Sequence, residues 1–92
     1  MSTIFLVGAS DVEGSRVEHA CASEETALKR YHEVRKSLIA DAKGACDGRG
    51  HNTPSYTKRW GCYIKMLEED DTAAMRAEIW ETPYIREMEL ED

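Results

Sequence analysis

Residues 23–43 read SEETALKRYHEVRKSLIADAK, the one long run in the chain with a clear helical period. Ala27, Leu28, Tyr31, Val34, Leu38 and Ala42 recur at steps of three and four. On a helix of 3.6 residues per turn they make one apolar stripe. Ser23 is a good N-cap, because its hydroxyl can accept from an unpaired first-turn N–H. Glu24 and Glu25 put negative charge at the positive end of the helix dipole. Lys43 falls in the last turn, and Gly44 can adopt the left-handed conformation that closes a helix. One helix cannot bury its own stripe, so the rest of the chain must supply the surface under it.

A chain of 92 residues is expected to form one domain. At this size folding buries only about 60–65% of the unfolded surface, which gives an adequate core and no room for a separate substrate domain. No apolar run approaches the roughly 18–20 residues that cross a bilayer. The first residues lack the basic head and long apolar body of a secretory signal. A soluble intracellular protein is expected. The three cysteines, Cys21, Cys46 and Cys62, are odd in number and widely spaced, which argues against a disulfide framework. Cys21 and Cys62 read as small core side chains.

The net charge of -6 conceals an uneven distribution. Residues 1–28 carry five acids against one arginine, residues 29–65 nine Lys/Arg against three acids, and residues 66–92 ten acids against two arginines. Separate acidic and basic blocks suit a partner that is itself partly basic and partly anionic; a solvated surface of uneven charge is the plainer reading.

In chain order, residues 3–7 (TIFLV) predict a central strand. Residues 8–14 are turn chemistry, and residues 16–21 alternate as a second strand paired to the first. After the helix, residues 44–59 predict a long basic loop broken by Gly48, Gly50, Asn52 and Pro54. Residues 60–67 alternate, with Trp60, Cys62, Ile64 and Met66 on one face, and predict a third strand. An acidic turn, Glu68, Glu69, Asp70 and Asp71, leads to a fourth strand over 74–81. Pro83 lacks a ladder donor and should end that strand or sit at an edge. Residues 84–92 predict an acidic tail of uncertain order. Trp80, Tyr63 and Tyr84 either mark an apolar patch or pack under that tail. The expected architecture is α+β: a four-stranded, mainly antiparallel sheet in the order β-β-α-β-β, with the long helix on one face.

Known catalytic signatures are absent. There is no G-x-S-x-G, no P-loop and no dinucleotide fingerprint. His19, Cys21, Cys46 and His51 lack the close pairs of a zinc site. A Cys–His pair drawn from the same residues has nothing to orient the base or hold an oxyanion. No catalytic residue, metal or cofactor is therefore expected. Binding chemistry is better represented. Arg49, His51, Tyr56, Lys58 and Arg59 place cations around an aromatic ring, and Lys29, Arg30, Arg35 and Lys36 are expected on the outer side of the helix. Cations neutralise phosphate and a ring can stack on a base. The acidic balance of the whole chain nonetheless speaks against binding free DNA or RNA. Asp11, Glu13, Glu68, Glu69, Asp70 and Asp71 are either solvated turns or a surface that docks on Lys/Arg groups which normally hold nucleic acid.

With its VEHACASEETALKRYHEV strand-to-helix junction, the chain from MSTIFLVGASDVEGSR to YIREMELED resembles the bacteriophage anti-CRISPR proteins directed at the type I-F system. The resemblance covers essentially the whole chain and rests on overall similarity rather than a motif, so it transfers no residue roles. It implies a non-enzymatic inhibitor that binds the RNA-guided type I-F surveillance (Csy) complex in the cytoplasm of the infected bacterial host. Such an inhibitor blocks recognition or hybridisation of target DNA. That partner combines Lys/Arg grooves with a bound guide RNA, and membranes have no part in it. The expected contacts are the six acids above, with Arg49, His51, Tyr56, Lys58 and Arg59 reaching RNA phosphates or neighbouring protein. The alternative is a phage accessory module that binds an unrelated host protein or nucleic acid.

Overall fold

A computed structural model describes residues 2–48 and 54–90. The elements are β1 (Ser2–Asp11), β2 (Gly14–Cys21), α1 (Glu24–Gly48), α2 (Pro54–Glu68), α3 (Thr72–Ala77) and β3 (Thr82–Leu90). The strands form one sheet in the order β2-β1-β3, antiparallel throughout. The fold is α+β with an antiparallel sheet and one long helix. The sheet has three strands rather than the four expected, and among the described residues three helices stand between its second strand and its last.

β1 is central because its apolar run can be buried while both its edges are paired. Val7 and Ala9 are buried under α1, with Phe5 packed beside them. Residues 8–11, expected as turn, extend this strand. Only Val12 and Glu13 are left to connect it to β2, and Asp11 pairs with Gly14. Asp11 Oδ1 accepts from the Glu13 N–H at 2.8 Å, which fixes the turn locally. The ladder slips between Val7 and Gly8, so Glu18 is an extra residue in β2. At that bulge the strands come so close that a Cβ on Gly8 would lie 1.8 Å from the Arg16 carbonyl oxygen. Positions that alternate with Val7 and Ala9 face away from α1. There Val17, Met88 and Leu90 stay exposed, as on a sheet solvated on one side.

α1 forms where its stripe predicts. The Thr26 N–H donates to Ser23 Oγ at 3.2 Å, and the Ala27 N–H to the Ser23 carbonyl at 3.0 Å. Ala27, Tyr31, Val34, Leu38 and Ala42 are all buried, while Leu28 at the edge of the stripe is exposed. The helix does not stop at Gly44. That residue is exposed and helical, at a cost of about 1 kcal/mol relative to alanine. α2 packs against the extended α1, and their shared core offsets that cost.

Residues 60–67 are helix, not strand. The period-two reading put Cys62 inside, yet Cys62 is exposed. Tyr63 and Leu67 are buried, and Trp60 and Ile64 pack against the same core, at the i, i+3, i+4, i+7 spacing of a helix. The short run satisfies both periods, and the surface offered by α1 selects the helical one. Pro54, read as a loop signal, is the first residue of α2, where its missing N–H costs nothing. Residues 44–48 and 54–59 of the expected loop are therefore helical.

Residues 72–77 are also helix. Asp71 caps α3, accepting from the Ala74 N–H at 3.1 Å, and Met75 is fully buried. The expected acidic tail supplies β3 instead, with Ile85 against Val7 and Pro83 against Ala9. Pro83 sits on an edge strand, where a lost donor is tolerated.

Candidate functional site

α2 and α3 end alike. The Asp71 N–H reaches back to the Met66 carbonyl and the Asp70 N–H to that of Leu67; the Trp80 N–H reaches Met75 and the Ile79 N–H reaches Arg76. This paired pattern requires a left-handed residue just past each helix, a place usually taken by glycine. Here Asp70 (φ 56°) and Ile79 (φ 65°) occupy it. Aspartate tolerates the conformation, whereas a β-branched isoleucine is an outlier there.

The turn that contains Ile79 is the structural centre of the candidate site. The Ile79 side chain is 63% exposed, and Val12, at the tip of the β1–β2 hairpin, is 74% exposed. Both line a cavity of about 160 Å³ together with Asp11 and Arg76. Glu81 borders a second cavity, about 220 Å³, with Asp11, Glu13 and Arg16, and its carboxylate pairs with Arg16 at 3.1 Å. Trp80 borders a third, about 130 Å³, with Leu38, Asp41, Ala42, Trp60 and Tyr63. Three consecutive residues thus reach three adjoining cavities.

The third cavity is aromatic. Tyr63 stacks on Trp80, with centroids 4.3 Å apart and planes within 6°, and Trp60 tilts against Trp80 at 5.0 Å. The Tyr63 hydroxyl donates to the Glu81 carbonyl at 2.6 Å. Burial holds that hydroxyl far above its ordinary pKa, and the charges of Glu81 and Asp41 push the same way. The Arg59 guanidinium lies 5.2 Å from the Trp80 ring centre, a cation–π distance. Ring faces beside carboxylates attract cations, and exposed branched aliphatics suit an apolar socket.

The site residues expected from sequence separate. Asp11 and Glu13 lie at the hairpin tip beside Ile79 and Glu81. Glu68 and Glu69 are exposed where α2 ends. Asp70 accepts from the Tyr31 hydroxyl, and burial followed by that contact raises the Tyr31 pKa. Asp71 is occupied as a cap. Lys58 and Arg59 are exposed on α2. Arg49 and His51 lie outside the described residues, as does the side chain of Tyr56, whose backbone belongs to α2.

Two cations expected on the outer side of α1 have internal partners. Arg35 donates to the carbonyls of Leu67 at 2.8 Å and Glu68 at 3.2 Å, where cationic charge suits the end of α2. Arg30 pairs with Glu33 at 2.9 Å. Sequence reasoning missed the roles of Ile79, Asp41 and Trp60.

Among the described residues no group of three or more His, Cys, Asp and Glu is placed to hold a metal ion, and no helix is long and apolar enough to cross a membrane. Comparison with protein-family profiles, curated proteins and solved structures finds no match.

Proposed function

We propose that this chain is a non-enzymatic docking module that occupies a basic surface of a partner protein through the turn at Ile79 and the hairpin tip at Val12. The observation that carries the reading is the pairing of two exposed branched aliphatics on one cavity beside Asp11, one of them held in a conformation its side chain disfavours. Backbone strain of this kind persists where the surrounding structure enforces it, and it clusters at functional sites. An apolar knob bordered by Asp11 and Glu13 fits an apolar socket rimmed by Lys or Arg.

The sequence resemblance names the partner as the type I-F CRISPR surveillance complex. On this reading the protein is a phage inhibitor acting in the cytoplasm of the bacterial host. Asp11, Glu13, Glu68 and Glu69 compete with target DNA for groove cations, while Lys58 and Arg59 on α2 serve the anionic guide RNA or adjacent protein. The test is to mix the purified chain with the assembled complex, run size exclusion, and measure target-DNA binding by gel shift. Co-elution with loss of DNA binding is expected. Failure to co-elute ends the reading. A shift of naked DNA by the chain at physiological salt favours an accessory module with a different host target.

A further inference from the structure

Directly opposite residues of an antiparallel pair project to the same face, so the register sorts the strands by side. Phe5 and Val7 belong to the core under α1; Glu87, opposite Phe5, and Glu89, opposite Thr3, share their side of the sheet. The other face carries Ile4, Leu6, Val17, Tyr84, Met88 and Leu90. Among the described residues that pair on that face, the one charge is Arg86. A sheet face that meets water normally shows the reverse, with polar residues outside and apolar residues toward the helix. Here the Leu90 end keeps its acids on the helix side and its methionine and leucine on the other. The apolar face is also smoothed. Tyr84 lies opposite Gly8, and its hydroxyl reaches past that glycine to the Arg16 carbonyl at 3.4 Å. A Cβ on Gly8 would stand 3.1 Å from the hydroxyl, so the missing side chain lets Tyr84 cross β1. The Arg86 guanidinium rests 5.5 Å from the Tyr84 ring centre, which holds the one charge against the sheet.

We infer that this face packs against the same face of a second copy of the chain, sheet on sheet, with the two α1 helices outside. Charge favours a second copy over another partner. Two chains of net charge -6 repel over most of their surface, and they approach at least cost where neither presents an acid. A basic partner is drawn to carboxylates instead, and the residues paired on this face supply none. Arg86 stands on an edge strand, so its guanidinium stays at the rim in water. Area sets the strength. From Ser2 to Gly8 across three strands the face measures about 23 Å by 14 Å, so two copies bury on the order of 600–900 Å² in total. That is the small end of specific interfaces, where association is weak and reversible. The inference goes beyond the docking reading, because it uses neither Val12 nor Ile79.

Sedimentation equilibrium of the full chain, from about 10 μM to about 1 mM, tests it. The average mass should rise with concentration from the 10.4 kDa of one chain toward twice that value, and added salt should not reverse the rise. Met88→Glu, at an exposed position, should keep the circular dichroism of the folded chain and weaken pairing at least about tenfold. Ile79→Gly, on the docking turn, should leave pairing unchanged. In the unaltered chain, the Met88 methyl signal in a carbon-13 NMR spectrum should move with concentration, while that of the buried Met75 should not. A single-chain mass throughout, a Met88 signal that ignores dilution, or full pairing by folded Met88→Glu overturns the inference. So does loss of pairing in Ile79→Gly, which would assign the contact to the docking turn.

Discussion

Tyr63 stacks face to face on Trp80 at 4.3 Å while its hydroxyl donates to the carbonyl of Glu81, the residue that follows Trp80. One side chain of α2 thereby fixes both the ring and the backbone of the α3–β3 turn. Tyr63→Phe keeps the stack and leaves that carbonyl without its donor. It should cost about 0.5–1.5 kcal/mol in denaturant unfolding. No loss of stability would show that the hydrogen bond does not anchor the turn.

Ile79→Gly should do the opposite. Glycine occupies the left-handed position freely, so the variant should gain about 1 kcal/mol, up to 2, measured by urea unfolding. If the exposed isoleucine is a contact, the same variant should bind the partner more weakly. A variant less stable than the parent would show that Ile79 packs usefully where it stands.

Gly8→Ala places a methyl group 1.8 Å from the Arg16 carbonyl oxygen, in the backbone of the paired strand. The strands must separate at the bulge, and a loss of about 1–3 kcal/mol or more is expected. A melting temperature within a degree of the parent would contradict this close approach.

Alkali should act through Tyr31 and Tyr63. Burial raises the pKa of Tyr31 and of Tyr63 well above the ordinary tyrosine value near 10. A raised folded-state pKa means that the native state holds the proton more tightly. The resulting stability is complete below about pH 10 and is lost as pH climbs toward the folded-state values. Ultraviolet titration of phenolate should therefore show part of the absorbance change arriving only with unfolding. A single step near pH 10 with the fold intact would refute it.

The parts of the fold legible from sequence are those set by local chemistry. Ser23, the Ala27-to-Ala42 stripe and the β1–β2 hairpin needed only capping, period and turn residues. The second half was misread where two signals competed. Trp60, Cys62, Ile64 and Met66 alternate as a strand, yet Trp60, Tyr63, Ile64 and Leu67 step as a helix, and only the groove along α1 decides between them. Both later helices end without the glycine that announces such an end, because Asp70 and Ile79 take its place. β3 was hidden by its acids: Glu87 and Glu89 suggested a solvated tail, although Ile85 pairs with Val7 and Pro83 with Ala9 along the ladder to β1. Of the candidate site, Asp11 and Glu13 were visible as turn acids. Ile79 was not, since its exposure depends on a helix end that no residue type signals.

Ser2 pairs with Leu90, and Val7 with Ile85, so the middle strand of the sheet receives its second neighbour from the far end of the same polypeptide. During synthesis, the hairpin and the long helix can form while one flank of that strand still has unpaired amides and carbonyls. Closing so distant a contact is slow, because chain entropy must be lost before the ladder repays it. A nascent or truncated chain that ends before Thr82 should therefore present an open strand edge, ready to pair with another copy. The last strand thus takes over the sheet's edge from the apolar β1 and gives it Pro83, Glu87 and Glu89 instead.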